Sequence, residues 1–202
     1  MSELIVYGYP QSTYLRTVRM TCVEKGVPYT LDAFESFDFR SATHRELHPF
    51  CKMPVLRHDD IVLFETIAIC RYIDDAFDGP MLTPEKMLDR HLMEQWISLI
   101  KDSVYHRLVR KWMLPLMRKA AESRRDQEKA REQAQETLAT LDGMLSRNAY
   151  LVGNSVTIAD LFLAPILACA LQLAPEILSG LPDLARVWAE VSARESFAKT
   201  MT

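Results

Sequence analysis

The chain has 202 residues, 49% of them apolar and 25% charged, and a formal charge of −3. That is enough for one large or two small domains with proper cores, but too near neutral for bulk attraction to nucleic acid or an anionic lipid surface. No stretch approaches the ~18 consecutive apolar residues of a membrane-spanning helix, the four scattered cysteines (Cys22, Cys51, Cys70, Cys169) form no CxxC pair, and the opening MSELIVYGYPQST lacks the basic leader and apolar run of a signal peptide. A cytoplasmic protein with reduced thiols is the expectation.

Short strand-like runs alternate with helix-length segments up to about residue 77. LIVYG (4–8) reads as a strand, and STYLRTVRMTCVEKG (12–26) as a helix opened by a Ser/Thr cap and stopped at Gly26. YTLDAF (29–34) is a second strand, and a short helix covers 41–47. VLRH (55–58) and IVLF (61–64), joined by Asp59-Asp60, predict a hairpin, and ETIAICRYIDDAF (65–77) a third helix. The sum, β-α-β-α-β-β-α, is a small mixed sheet with helices over residues 1–77. DGPMLTPE (78–85), with its glycine and prolines, reads as a linker.

Residues 86–202 read as all-helical. Leu88, Leu92, Trp96, Ile100, Val104, Leu108 and Trp112 recur every four residues, predicting a buried stripe along a long helix that kinks at Pro115. Residues 122–136 mix four basic and five acidic side chains, the pattern of a solvated helix face and not of a nucleic-acid patch. In SVTIADLFLAPIL, Thr157 and Asp160 form a capping box, with Val156 and Leu161 spaced for a hydrophobic staple.

The segment HPFCKMPVLRHDD (48–60) poses a local problem, because Pro54 opens a predicted strand although it has no N–H to give the sheet. Together with LFETIAICRYI, SVTIADL, the closing LARVWAEVSARESF and the run Gly8, Pro10, Ser12, Arg16 between first strand and first helix, this segment resembles the soluble glutathione transferases. The G-x-P-x-S-x-x-x-R run is most similar to the serine-type enzymes, nearest the phi class and its bacterial relatives. The resemblance covers essentially the whole chain. It implies a thioredoxin-like α/β N-terminal domain (1–77) followed by an all-α C-terminal domain (86–202).

The resemblance also implies a function for Pro54. A cis Met53–Pro54 bond, an isomer nearly confined to X–Pro, would turn the Met53 backbone outward to pair with the peptide of glutathione, which docks like an added strand. Glutathione, as co-substrate, carries two carboxylates and a thiol. Glu65 and Thr66 open the third helix, whose N-terminus favours a carboxylate; the resemblance gives Thr66 the γ-glutamyl carboxylate and Glu65 the ammonium. Lys52, with Arg40 as a second cation, would bind the glycyl carboxylate.

Ser12 is the implied chemical centre. An ordinary thiol titrates near ~8.5 and the thiolate is the nucleophile, so a hydroxyl donating to sulfur at a helix N-terminus would raise the reactive fraction. Ser12 would be a donor and not an attacking group, since no serine-hydrolase elbow surrounds it. Its simple N-cap role is compatible with this one. Tyr7, Tyr9 and Thr13 are rivals for the sulfur contact; Tyr7 is expected to pack. Cys51 departs from the family pattern, which usually has glycine there, and leaves a redox role open.

His44 and His48, four apart, could share a helix face as a metal pair would, but no third ligand is evident and no metal is expected. Asp74, Asp75 and Asp78 read as a polar helix end. Tyr14, Tyr105, His106, Trp112 and Met113 are candidates for an electrophile pocket between the domains, although aromatic and methionine side chains at helical spacing are more often core. Phe50, apolar on a loop that carries ligand contacts, suggests a partner surface, and the resemblance implies that it inserts into the second subunit of a homodimer.

The expected activity is attack of the glutathione thiolate on small apolar electrophiles, a detoxifying transfer, with hydroperoxide reduction as a side activity. A glutathione-dependent isomerase or dehalogenase is the enzyme alternative, and a non-catalytic glutathione-binding or scaffolding protein of the same fold is the other class.

Overall fold

The computed structural model describes residues 3–33, 42–119, 123–145 and 147–201. They group into two compact units, Met1–Thr83 with Arg194–Thr202, and Pro84–Ala193.

The first unit is built on a four-stranded sheet of order β2-β1-β3-β4. β1 (Leu4–Tyr7) runs parallel to β2 (Thr30–Asp32), and α1 (Thr13–Glu24) supplies the crossover that a parallel pair requires. β3 (Val55–His58) pairs antiparallel with both β1 and β4 (Ile61–Phe64). Between β3 and β4, Asp59 takes the positive φ (51°) that tight hairpin turns ask for and that aspartate tolerates.

Period-two alternation divides the sheet into two faces. Ile5, Tyr7 and Val55 form one cluster, capped by Leu47 of α2 (Ala42–Leu47). Val6 and Leu56 point the other way and are fully buried, on the face shared by α1 and α3 (Thr66–Ala76), which pack on one another. His58 confirms that assignment by pairing with Tyr72 of α3 at 2.7 Å.

Two polar links tie this unit together. Lys25, buried at the end of α1, sits 3.2 Å from Asp74 Oδ1 and donates to the Asp74 carbonyl at 3.0 Å. The Asp74 carboxylate also accepts the N–H groups of Leu82 (3.0 Å) and Thr83 (2.9 Å). At the polar end of α3, Asp75 and Asp78 are exposed, and Asp74 is thus the buried and paired member. The expected linker is likewise anchored there, with Leu82 and Thr83 buried.

The second link joins α1 to the closing helix α9 (Glu195–Lys199). Arg16 donates to the Phe197 carbonyl at 3.2 Å and lies 4.3 Å from the Phe197 ring centroid. Arg194 binds Glu24 with two nitrogens, each at 2.6 Å, and Ser196 donates to the same carboxylate. Against the expectation of a helical domain running to 202, Arg194–Thr202 group with the sheet. Paired side chains far apart in sequence make that junction, and neither composition nor periodicity announces it.

The second unit is helical. α4 (Met87–Leu99) continues in wider, π-type turns through Ile100–Met113 and returns to α geometry at α5 (Leu114–Met117), where Pro115 falls. Ile100, Val104, Leu108 and Trp112 are buried as the stripe predicts, but Leu88 and Leu92 are exposed. With 3.6 residues per turn, each four-residue step drifts about 40°, so Leu88 lies roughly 130° from the buried face of Met93, Trp96 and Ile97.

α6 (Arg124–Met144) is the mixed-charge helix, largely exposed over its first turns. α7 (Ile158–Leu173), apolar on nearly every side, is buried along most of its length. Its capping box is complete: Asp160 accepts Thr157 N–H at 2.8 Å and also holds Leu151 N–H at 2.8 Å. α8 (Pro182–Ser192) closes the unit.

Candidate active site

Three segments leave the sheet at one end. Tyr7 pairs with Val55 and Val55 with Phe64, so the next residues outward, Gly8, Pro54 and Glu65, follow neighbouring strands at the same edge. Register alone thus gathers the β1–α1 turn, the loop before β3 and the start of α3.

The β1–α1 turn delivers Ser12 to the N-cap of α1. Ser12 N–H donates to the Tyr9 carbonyl at 2.9 Å, and its Oγ accepts Leu15 N–H at 3.4 Å. Accepting occupies a lone pair and leaves the O–H to donate. Ser12 is half-buried, at the positive end of a helix with no acidic residue in its first turn. Tyr7, by contrast, is in the core cluster, and burial raises its phenol pKa. Tyr9 is 43% exposed and donates its N–H to Met53 Sδ at 3.2 Å. Thr13 begins the helix, its carbonyl accepting the Thr17 hydroxyl.

The loop before β3 is held by two histidines. His44 and His48 are both 2% exposed. His44 Nε2 lies 3.0 Å from the Lys52 carbonyl, and His48 Nδ1 accepts Phe50 N–H at 3.0 Å. His48 also packs against Phe64 with ring centroids 4.6 Å apart. Burial lowers its pKa. The sequence shows the spacing of these residues but not their loop contacts; the available signal was two histidines four apart, one within the short helix and one just past its end, feeding directly into the loop. Cys51 adopts φ 49°, the conformation glycine takes most easily. Lys52 is exposed, and the Met53–Pro54 bond is cis.

Glu65 precedes α3 at φ 70°, unusual for a non-glycine residue, and makes no side-chain cap bond. Strain of this kind concentrates at functional sites. Thr66 follows, buried, in the first turn. Phe50 does not pack under its own sheet; it is 76% exposed, with the Lys52 ammonium 5.8 Å from its ring. Arg40 lies outside the described residues. Tyr14 is half-buried on α1. In the helical unit, Tyr105 is half-buried, His106 exposed, and Trp112 and Met113 buried. Among the described residues, no group of three His, Cys, Asp or Glu side chains could hold a metal ion, and no helix is long and apolar enough to cross a membrane.

The fold and this arrangement define a thioredoxin-like unit, with the β1–α1 turn, the loop before β3 and the start of α3 at one end of its sheet, followed by a helical unit. Two family models match: "Glutathione S-transferase, N-terminal domain" over residues 6–81 and "Glutathione S-transferase, C-terminal domain" over 105–195. Glutathione S-transferase 3 of Zea mays is 30% identical over 100% of this chain and 94% of its own. A stringent starvation protein A homolog of Haemophilus ducreyi is 28% identical over 82% of this chain and 74% of its own. A theta-class glutathione S-transferase from Xanthomonas axonopodis pv. citri, solved with glutathione bound, superposes with a TM-score of 0.86 at 25% identity, covering 100% of this chain and 99% of that one. The chain belongs to the glutathione S-transferase family.

Proposed function

We propose that this family member activates the glutathione thiol with Ser12 and directs it at small apolar electrophiles. The observation that carries the reading is Ser12 as N-cap of α1, at the same sheet edge as Met53 and the start of α3. The Ser12 hydroxyl donates to sulfur and, with the helix N-terminus, favours thiolate over thiol. Sulfur forms the new C–S bond while the electrophile's leaving group departs with the bonding pair; the thiol proton has already passed to water. Met53 pairs through its backbone with the cysteinyl peptide, Thr66 and Glu65 receive the γ-glutamyl end, and Lys52 with Arg40 the glycyl carboxylate. Tyr14, Tyr105, His106 and Trp112 belong to the electrophile side. Hydroperoxide reduction on the same thiolate, a cytoplasmic setting, a detoxifying role and a homodimer joined through Phe50 complete the proposal.

One relative, the stringent starvation protein A homolog, is not named as a transferase, and the second reading is a glutathione-binding or scaffolding protein of the same fold without turnover. Retention on immobilised glutathione, followed by a conjugation assay with 1-chloro-2,4-dinitrobenzene and with cumene hydroperoxide, separates the two. Turnover supports the transferase. Retention without turnover on either substrate supports the second reading, and failure to bind glutathione removes both glutathione proposals.

A further inference from the structure

We propose that His48 in its neutral form, assisted by His44, holds the loop Pro49–Met53 in docking shape, and that protonation of His48 releases the loop and weakens glutathione binding. The inference rests on the glutathione reading above only in its second half.

The geometry fixes the tautomers. A carbonyl oxygen only accepts, so the 3.0 Å contact from His44 to the Lys52 carbonyl requires a proton on Nε2. A backbone N–H only donates, so Phe50 N–H at 3.0 Å from His48 Nδ1 requires that nitrogen to be bare. Neutral His48 must therefore carry its proton on Nε2. A second proton has one place to go, Nδ1, where it would face the Phe50 N–H and abolish the bond.

The surroundings make that proton costly. His48 is buried against Phe64, and the charged or titratable groups that face it are His44 on α2, Lys52 on the loop and Glu65 at the start of α3. Burial is the largest influence and lowers the pKa; Glu65 and a backbone hydrogen bond oppose it, and His44 and Lys52 act in the same direction as burial. With the folded pKa below the ordinary value of ~6.5, the unfolded chain takes up this proton first as pH falls. The clamp is intact at neutral pH, costs stability as pH drops below about 6.5, and opens only as pH falls through the lower, folded pKa. The loop it releases holds Phe50, Lys52 and Met53 together, so one proton acts on several proposed contacts at once.

The test compares wild type, His48→Asn and His48→Leu between pH 5 and 8, measuring the Kd of reduced glutathione by calorimetry. In parallel, the imidazole nitrogens of His48 and the amides of residues 50–53 are followed by NMR without glutathione. Asparagine places an acceptor oxygen near the Nδ1 position and does not titrate. Loss of one net hydrogen bond corresponds to roughly 2- to 10-fold in Kd. Wild type should lose that much at acid pH, His48→Leu at every pH, and His48→Asn should recover affinity relative to His48→Leu with a flattened pH profile. Ring nitrogens showing the Nε2–H tautomer at neutral pH, with loop amides that titrate alongside, support the clamp even if His48→Leu fails to fold. A proton on Nδ1 at neutral pH, loop amides indifferent to His48, or a His48→Asn profile as steep as wild type overturns it. Absence of glutathione binding at any pH, with the loop still titrating, overturns the glutathione reading and leaves the loop clamp standing.

Discussion

Met53 Sδ accepts the backbone N–H of Tyr9 at 3.2 Å, joining the loop before β3 to the turn that carries Ser12. Gly8 makes this approach possible. Its φ is 148°, and a Cβ there would stand 3.1 Å from Leu15 Cδ1 and 3.2 Å from Met53 Cβ. Gly8→Ala should combine an unfavourable backbone with crowding on both sides, lowering stability by about 1–3 kcal/mol and reducing kcat/KM. Denaturant unfolding and steady-state kinetics check this, and an Ala variant equal to wild type in both would mean the two segments are not coupled through this contact.

Ser12→Ala should cut kcat/KM by roughly 10- to 1000-fold, about 1.4–4 kcal/mol, with glutathione Kd within several-fold and the bound thiol pKa raised. It also removes a helix cap, worth about 1 kcal/mol, whereas Ser12→Gly removes the hydroxyl at a capping cost of a few tenths. Equal activity losses in the two variants assign the effect to the hydroxyl. If thiolate absorbance and activity survive, Thr13 inherits the role.

Lys52→Ala and Thr66→Ala should chiefly raise KM for glutathione, because in the proposed docking they hold parts of the peptide that do not react. The expected change is about 3- to 30-fold, with kcat within about 3-fold. KM unchanged in both variants would show that the tripeptide lies elsewhere.

Phe50 is 76% exposed, and Ile61, Val62 and Phe64 of β4 are exposed as well. Apolar side chains of this size left in water suggest a covered surface. Sedimentation at micromolar concentration should find a dimer, and Phe50→Ala should weaken it while raising KM for glutathione, since the same loop carries Lys52. A monomeric wild type would remove the dimer and Phe50's part in it.

Lys25 and Asp74 are a buried ion pair with their remaining bonding capacity directed at backbone groups. Lys25→Met strands the carboxylate and should cost about 3–5 kcal/mol. Asp74→Asn should also destabilise, because Leu82 and Thr83 donate to different carboxylate oxygens and the amide would set its NH2 against one of those N–H groups. Thermal unfolding reads both, and a Tm within a degree of wild type would discount the pair.

What was legible in the sequence was local. The β3–β4 hairpin follows from two apolar runs around Asp59-Asp60, the start of α1 from Ser12, and the start of α7 from Thr157 and Asp160, all interactions within a few residues. What was hidden depends on partners far along the chain. Lys25 and Asp74 lie 49 residues apart, and Arg194 reaches back 170 residues to Glu24; neither leaves a periodic trace. His44 and His48 were visible as a spacing, but their loop contacts depend on how the chain turns after Leu47. The leucine stripe misled at Leu88 and Leu92 because a four-residue repeat does not keep step with the helix.

The link from Arg194 and Ser196 to Glu24 also orders events in time. The strands and helices of the sheet-bearing unit are synthesised first, yet Arg194–Thr202 emerge only after all of Pro84–Ala193. At about 5–20 residues per second, translation of that intervening stretch takes roughly 5–20 s. During that interval Glu24 and Arg16 have no partner in α9, and the growing chain must carry an incomplete sheet unit past the ribosome. Early folding should therefore be provisional, with the final tightening of α1 coming as a late step, after Pro84–Ala193 have been made.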